Sequence, residues 1–224
     1  MSAPAPAPRT ARGERTRTAI LEAAEHVFAE LGYTEASIVK ITERAGVAQG
    51  TFYLYFASKL EVFEELAADL NRRVRHAMTE ASAAATTRLE RERAGFRGFF
   101  EFTAQHPALY RVVREAEWVS PRALRSHYEH IVSGYIDGLR IARESGEVGE
   151  IDPAVVAWML MGIGEMVGMR WVLWGSGGTA PGADADPLAS GTSRVPDAVF
   201  DEMMRFIERG LDVREPGTGA EEGR

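Results

Sequence analysis

One short segment of the chain concentrates side chains that both donate and accept hydrogen bonds. These side chains belong to Gln49, Thr51, Tyr53 and Tyr55. An exposed helix would ordinarily carry Glu and Lys at such positions, whereas Phe52 and Phe56, four residues apart, can point together into a core. Amide, hydroxyl and phenol groups beside Gly50 suit close approach to the base edges and phosphates of DNA.

Two helices and a tight turn are needed to present this surface. Ser37 is a good N-cap for the first helix, in which Ile38, Ile41 and Ala45 form one apolar stripe. Gly46 tolerates the left-handed conformation that ends a helix abruptly, and the second helix begins at once. The spacing therefore predicts a helix-turn-helix.

A third helix is predicted to follow, with Ser58 as its N-cap and Lys59 in its first turn. A Lys at that end of a helix opposes the helix dipole. The mismatch is easier to accept if an outside anion such as a phosphate binds there.

The order of these residues resembles a known family. The segment GVAQGTFYLYFASK, the SIVKITERAGV segment before it and the helix from Arg15 to Leu31 resemble the N-terminal domain of the tetracycline-repressor (TetR) family of bacterial transcription regulators. The resemblance spans about residues 15–66. It implies backbone-phosphate contacts by Ser37, Tyr53 and Lys59, and major-groove positions for Gln49, Gly50, Thr51 and Tyr55.

Four positions depart from the family pattern. Ala48 stands where many members have Ser, Thr42 where Ala is usual, and Leu60 where Glu often follows the Lys. Val39 occupies a position at which some members place a base-contacting Arg. We therefore expect the first of the two helices to contribute little to sequence recognition.

Composition favours an all-α fold with two domains. The 224 residues are 45% hydrophobic, and Ala, Glu, Arg and Leu recur at helical spacing. The absence of Cys fits a reducing cytoplasm and excludes disulfides and thiolate metal sites. No apolar run is judged long enough to span a bilayer and no signal peptide is evident, so a cytoplasmic protein without membrane contact is expected.

The negative charge lies mainly outside the DNA-binding candidate. Residues 1–60 carry seven Lys and Arg against six Asp and Glu, whereas the whole chain has a net charge of −7. We expect residues 1–14 to form a disordered basic arm that either follows DNA or is simply solvated. Residues 15–60 would form the helix-turn-helix domain.

Residues 61–213 are predicted to form a larger helical domain for effector binding and dimerisation. A long helix leaves the DNA-binding domain from Lys59 to about Val74, and a loop is predicted over 175–196 and a disordered tail over 214–224. Aromatic and Met side chains indicate an apolar or amphipathic effector, such as a lipid, an acyl group or a drug. The candidate ligand-binding residues are Phe96, Phe99, Phe100, Tyr110, Trp118, Trp158, Met161, Glu165 and Met169.

The apolar helix from Pro153 to Trp174 raises two further questions. Gly162, Gly164 and Gly168 cost helix propensity, which close approach of another helix backbone would offset. Glu165 lies within the apolar run and could pair with an Arg, contact a ligand or be exposed. This helix and the last one resemble the pair that forms the four-helix dimer interface in the TetR family.

The favoured function is a ligand-responsive, homodimeric DNA-binding regulator, most often a repressor in such families, that binds an inverted repeat. The alternative is a helical small-molecule-binding protein or enzyme that uses its N-terminal helices for docking. An enzyme is disfavoured because no nucleophile elbow or phosphate-binding Gly loop is present, and His127 and His130 lack a third metal ligand. An architectural DNA binder without an effector is a third possibility. No cofactor and no metal are expected.

Overall fold

In the computed structural model of the protein, residues 10–174 and 194–213 are described, and every regular element within them is a helix. The helices are α1 (Ala11–Glu35), α2 (Ile38–Ala45), α3 (Gln49–Phe52), α4 (Lys59–Ala81), α5 (Arg88–Gln105), α6 (Ala108–Val119), α7 (Pro121–Glu144), α8 (Pro153–Gly168), continued by a π-turn (Met169–Leu173), and α9 (Asp197–Leu211). The predicted all-α fold is confirmed. The arm over residues 1–9, most of the predicted loop (175–193) and the tail lie outside the described residues.

Side-chain caps set where most of these helices begin. The predicted N-caps are confirmed at Ser37 and Ser58, and Asp152 caps α8. Each accepts a hydrogen bond from a backbone N–H of the first turn. Thr10 caps α1, so this helix begins four residues before the predicted start, and Arg12 lies on it. Helix α4 is likewise longer than expected and continues to Ala81.

The cores of the two predicted domains are continuous. Helix α4 carries a stripe of four fully buried apolar side chains, Phe63, Leu66, Leu70 and Val74. It packs with residues of α1–α3 and with α6 in one cluster, while α5, α7, α8 and α9 form a second cluster. A change at the effector end of α4 therefore has a packed route to α1–α3.

Side chains of neighbouring helices, and not a helix backbone, lie against two of the α8 glycines. The expectation that another helix backbone approaches these glycines was therefore wrong. A Cβ at Gly164 would lie 2.9 Å from the Phe96 ring, and a Cβ at Gly168 would overlap the Tyr110 hydroxyl. Gly162 has open space around it instead. Helix α8 thus approaches α5 and α6 closely, and aromatic rings fill the space that two of its glycines leave.

The helical stretch Pro153–Leu173 is long and apolar enough to cross a membrane by length and composition, with 28% of its most apolar window buried. The expectation that no apolar run reaches spanning length was therefore wrong. This stretch has too few charged residues to be excluded as a candidate membrane span. The core helix of a soluble protein passes the same test, and much of this one is uncovered in a single subunit.

Candidate DNA-binding surface and effector site

The turn between α2 and α3 is held by backbone hydrogen bonds. Gly46 adopts the left-handed conformation, with φ of 67°, and its N–H donates to the carbonyl of Glu43 at 3.2 Å. The N–H of Val47 donates to the carbonyl of Thr42 at 3.0 Å. Phe52 and Phe56 are buried and 5.6 Å apart between ring centroids. The sequence-based prediction of a helix-turn-helix is confirmed in its geometry.

Four of the seven candidate DNA contacts lie at or near the surface of this motif. Gln49 and Gly50 are exposed in the first turn of α3, and no atom lies within 4 Å of a Cβ placed at Gly50. Tyr53 is 53% exposed, and its ring packs edge-on against Phe52. Ser37 is half-buried because it caps α2. The fold does not require a glycine at position 50, which leaves that surface free for close approach by a partner.

Thr51 and Tyr55 are less accessible than Gln49 and Tyr53. Helix α3 ends at Phe52, so Tyr55 lies in the turn that follows it. Its hydroxyl lies 3.3 Å from the position of a Cβ on Gly13, in the first turn of α1. The major-groove contacts implied for Thr51 and Tyr55 stay predictions, and in this structure both side chains are half-buried.

Lys59 is held by the protein's own carbonyls. Its ammonium donates to the carbonyls of Tyr33 at 2.7 Å and Ala36 at 2.8 Å, and it lies 4.3 Å from the centroid of the Tyr33 ring. These carbonyls at the end of α1 supply the negative partner that the sequence analysis sought in an outside phosphate. The position of Lys59 therefore needs no outside anion to be tolerated, and a phosphate contact by Lys59 stays a prediction.

Arg17 of α1, just after the predicted basic arm, contributes to the packing of the fold. Its guanidinium pairs with Glu65 of α4 and lies 5.1 Å from the centroid of the Phe56 ring. Arg12 and Arg15 are exposed on α1. Leu54, which the sequence analysis did not single out, is 77% exposed beside Tyr53. An exposed Leu at that point offers an apolar surface of the kind that contacts thymine methyl groups.

A joint between α1 and α6 was missed from the sequence. Arg111 donates to the carbonyl of Ala29 at 2.7 Å, and Glu115 accepts from the backbone N–H of Tyr33 at 2.7 Å. This contact depends on Gly32, which has φ of 74° and whose Cβ would lie 2.5 Å from the Glu115 carboxylate. The signal in the sequence was a charged pair four residues apart, which ordinarily indicates only a solvated helix face.

A second link joins α1 to α4 and to the end of α5. Glu25 accepts hydrogen bonds from Arg73 at 2.8 Å and from His106 at 2.9 Å. Burial raises the pKa of Glu25, but the hydrogen bonds and charges of Arg73 and His106 outweigh it and lower the pKa overall. His106 is also the C-cap of α5.

The candidate effector residues form a packed aromatic cluster in part. Phe96, Phe100 and Tyr110 are buried, and Phe99 lies 5.5 Å from Phe100 and 6.4 Å from Tyr110 between ring centroids. Met161 packs against both hydrophobic clusters. The structure therefore brings these five residues together at the contact between α5, α6 and α8.

Glu165 adds a polar group to this cluster. The Tyr128 hydroxyl donates to the two Glu165 oxygens at 3.0 and 3.1 Å, so the partner is a tyrosine of α7, where the sequence analysis had favoured an Arg. Burial raises the pKa of Tyr128, and the charge and hydrogen bond of Glu165 raise it further. The buried Tyr110 hydroxyl makes no hydrogen bond among the described residues. An unpaired buried hydroxyl is available to a ligand acceptor.

The remaining candidate effector residues lie at the edge of the cluster or outside it. Trp118 and Trp158 are exposed, although Trp158 lies 6.0 Å from the Tyr128 ring. Met169 begins the π-turn, and its sulfur accepts from Arg114 at 3.5 Å. Ligand binding by all nine residues stays a prediction. No cluster of metal-ligating side chains is found among residues 10–174 and 194–213.

Large apolar side chains also remain uncovered on α8 and α9. We refer to Val155, Trp158, Met159, Met166 and Phe206 as the apolar face. Gly162, exposed and open, lies on the α8 part of this face at helical spacing from Trp158 and Met166. An exposed surface of this kind marks an interaction site.

Comparison with known proteins identifies the family. Residues 20–66 match the model of bacterial regulatory proteins of the tetR family. Over 159 residues the chain is 30% identical to the fatty acid metabolism regulator protein of Bacillus subtilis, which covers 69% of this chain and 82% of that relative. The chain belongs to the TetR family.

Two further TetR-related proteins bear on the second domain. The transcriptional activator FasR of Mycolicibacterium smegmatis is 32% identical over 143 residues, 62% of this chain, and the match spans 64% of FasR, less than two thirds of its length. The crystal structure of FadR from Bacillus subtilis in complex with stearoyl-CoA has the same fold, with a TM-score of 0.68 at 22% identity over 87% of this chain and 98% of that chain. The TetR fold therefore extends through the helices beyond α4.

Proposed function

We propose that this TetR-family chain is a transcription regulator that binds DNA through α2 and α3 and responds to a small effector in its second domain. The observation that supports this proposal is the open surface at Gly50 and Tyr53, on the outside of a well-packed helix-turn-helix. Gln49 and Leu54 flank that surface with a polar and an apolar side chain. We place base contacts on Gln49, Gly50 and Leu54, and a phosphate contact on Tyr53.

The active form is a homodimer in the cytoplasm. The apolar face on α8 and α9 is large enough to need a partner, and a second copy buries two such faces against each other. A two-fold dimer presents two α3 helices about 34 to 36 Å apart and recognises an inverted repeat. The alternative is that the same face binds a membrane, and a test of dimerisation distinguishes the two.

The effector is an acyl compound or another amphipathic molecule, and its binding releases the protein from DNA. The aromatic cluster supplies apolar contacts, while Tyr110 and Tyr128 supply hydroxyl groups for a polar end. A relative of the same fold has been crystallised with stearoyl-CoA. To move a population from 1:99 to 99:1, the effector must prefer the released conformation by about 5.5 kcal/mol.

The effector signal reaches the DNA-binding helices by two routes. One is α4, whose buried stripe belongs to the same cluster as α1 and α3. The other is the joint of Arg111 and Glu115 with the end of α1. Both routes meet at Tyr33. Its backbone N–H donates to Glu115, and its backbone carbonyl accepts from Lys59.

A footprint on the DNA upstream of the chain's own gene tests this function. We expect a protected inverted repeat, and at least about tenfold weaker protection with Tyr53→Ala. The control is His76→Ala, an exposed residue of α4 paired only with Glu80. Full protection by Tyr53→Ala would refute the assignment of the DNA-binding surface.

A transcription reporter fixes the sign of regulation. We propose repression, so deletion of the gene should raise transcription from the protected promoter. Reduced transcription would instead assign activation, as in the name of the relative FasR.

A further inference from the structure

A cavity of about 370 Å³ is lined by none of the candidate DNA-binding residues and none of the candidate effector residues. It is bounded by the C-terminal part of α4, the start of α5 and the middle of α7. We call it the anion cavity because several arginines line it. Its cationic lining consists of Arg75, Arg88 and Arg91. A volume of this size is within the range of small-molecule sites.

The wall of the anion cavity contains a buried ion pair. Arg88 pairs with Glu92, which is 2% exposed, and the guanidinium occupies space that a Cβ at Gly138 would fill. Burial raises the pKa of Glu92, and the charge and hydrogen bond of Arg88 offset part of that rise. The Arg88 Nε is buried without a hydrogen-bond partner. The wall therefore has an unused N–H donor, which is costly to leave without an acceptor.

The mouth of the anion cavity has more positive than negative charge. The Arg91 side chain has no ion pair or hydrogen bond within the described parts of the chain. Arg75 donates from Nε to the Asn71 side chain at 3.0 Å, and no carboxylate pairs with its terminal nitrogens there. The only acid at the mouth, Asp137, lies 3.9 Å from Arg140. The negative charge of Glu92 is already balanced by Arg88, so Arg75 and Arg91 supply the surplus positive charge.

The remaining lining is partly apolar. Met78 and Ile131 lie on opposite walls, on α4 and α7, and both belong to or pack against the first hydrophobic cluster. Tyr135, whose ring centroid lies 5.9 Å from the Arg88 guanidinium, bridges the two clusters. A ligand that satisfies this lining has an anionic end and an apolar part.

We propose that the anion cavity binds the carboxylate or phosphate end of an amphipathic ligand, with Arg75 and Arg91 as its cationic partners and Met78 and Ile131 against its apolar part. Arginine suits this role because its planar fork matches both anions in bidentate geometry. Occupancy would act on α4 directly, since Arg75 and Met78 belong to the helix that begins at the DNA-binding domain. This proposal rests on the proposed effector response.

Isothermal titration of the full chain tests the site with four probes: palmitoyl-coenzyme A, palmitate, coenzyme A and inorganic phosphate. We expect binding of at least one of the two amphipathic probes, weakened about tenfold or more by Arg75→Gln combined with Arg91→Gln. The control is Arg205→Gln, which removes an exposed cation of α9 outside the cavity. Comparison of palmitoyl-coenzyme A with palmitate shows whether the anion is a phosphate or a carboxylate.

Equal affinities of the double variant and the unmodified chain would overturn the proposal, as would binding of inorganic phosphate alone or of no probe. Should the double variant fail to fold, Arg91→Gln alone serves, because it removes an exposed side chain with no ion pair among the described residues. A footprint of the same ligand-free variants separates this site from the proposed function. A chain that binds the amphipathic anion through Arg91 but gives no footprint would refute regulation and leave the anion cavity standing.

Discussion

The side-chain amide of Asn71 on α4 donates to Nδ1 of His127 on α7 at 3.0 Å. The same amide donates to the His127 carbonyl at 2.9 Å, and its oxygen accepts from Arg75. Both Asn71 and His127 are buried. One asparagine thereby ties the two helices together and orients an arginine of the anion cavity.

His127 predicts a loss of stability in mild acid. Burial lowers the pKa of His127 to about 4, with a further contribution from the charge of His130. Because the folded-state pKa lies below the unfolded value of about 6.5, the unfolded chain binds the proton first as the pH falls, and stability is lost between these two values. From pH 7 to pH 5 the free energy of unfolding should fall by about 2 kcal/mol from this group.

Chemical denaturation at the two pH values measures this effect. His127→Gln should flatten the dependence in that range, whereas the exposed His76→Gln should retain it. Identical pH dependence in all three proteins would show that folding does not lower the pKa of His127.

Gly50→Ala should separate folding from DNA binding. The Cβ meets no atom within 4 Å, and Ala favours a helix by about 1 kcal/mol over Gly, so thermal stability should stay equal or rise. DNA affinity should fall, because the methyl group occupies the surface that approaches the groove. Gel-shift titration and thermal melting together measure both effects.

The matched variant for this comparison is Gly46→Ala. Its φ of 67° is strained for Ala, so about 1 kcal/mol of stability should be lost although its Cβ also meets open space. A loss of stability in Gly50→Ala of the same size would contradict the proposed division of roles.

Glu115→Ala should weaken the response to the effector. It leaves the Tyr33 N–H without its acceptor and removes one of the two contacts that join α6 to the end of α1, at a cost of about 1 to 3 kcal/mol in stability. The effector-induced drop in DNA affinity should shrink, as measured by gel shift with and without palmitoyl-coenzyme A. Glu117→Ala, exposed on the same helix, is the control. An unchanged response in Glu115→Ala would assign all coupling to α4.

Phe206→Glu should dissociate the dimer. Phe206 is 67% exposed in the single subunit, and a charge there cannot be buried against a second copy without a large desolvation cost. Light scattering after gel filtration should show a monomer, and protection of the inverted repeat should be lost with it. Ala83→Glu introduces the same charge at an exposed turn after α4 and should leave the dimer intact. A monomeric unmodified chain that binds lipid vesicles would assign the apolar face to a membrane.

The sequence was sufficient wherever a local rule determines the structure. Ser37, Gly46, Phe52 and Phe56 each follow from capping, from backbone conformation or from helical spacing, and all were placed correctly. The partners of Lys59 and Glu165 were not, because each lies on a helix distant in sequence. Periodicity predicts which face of a helix is buried but not which neighbour it meets.

The anion cavity illustrates the same limit. Arg88 and Glu92 are an ordinary charged pair four residues apart in the sequence, which is typical of a solvated face. Their burial depends on Gly138, fifty residues later, which leaves room for the guanidinium. Only the packing of α7 on α5 turns that pair into a cavity wall.

The links between α1 and α4 limit how the protein can move. Three contacts fasten the two helices along most of their contact. They are the ion pairs Arg17–Glu65 and Glu25–Arg73 and the hydrogen bond from Lys59 to the Ala36 carbonyl. We therefore expect them to move as one rigid body, with the pivot near Ala81 at the end of α4. With 23 residues α4 is about 35 Å long, so a tilt of only about 5° displaces its far end by about 3 Å. A displacement of that size already exceeds the tolerance of hydrogen bonds to a base edge.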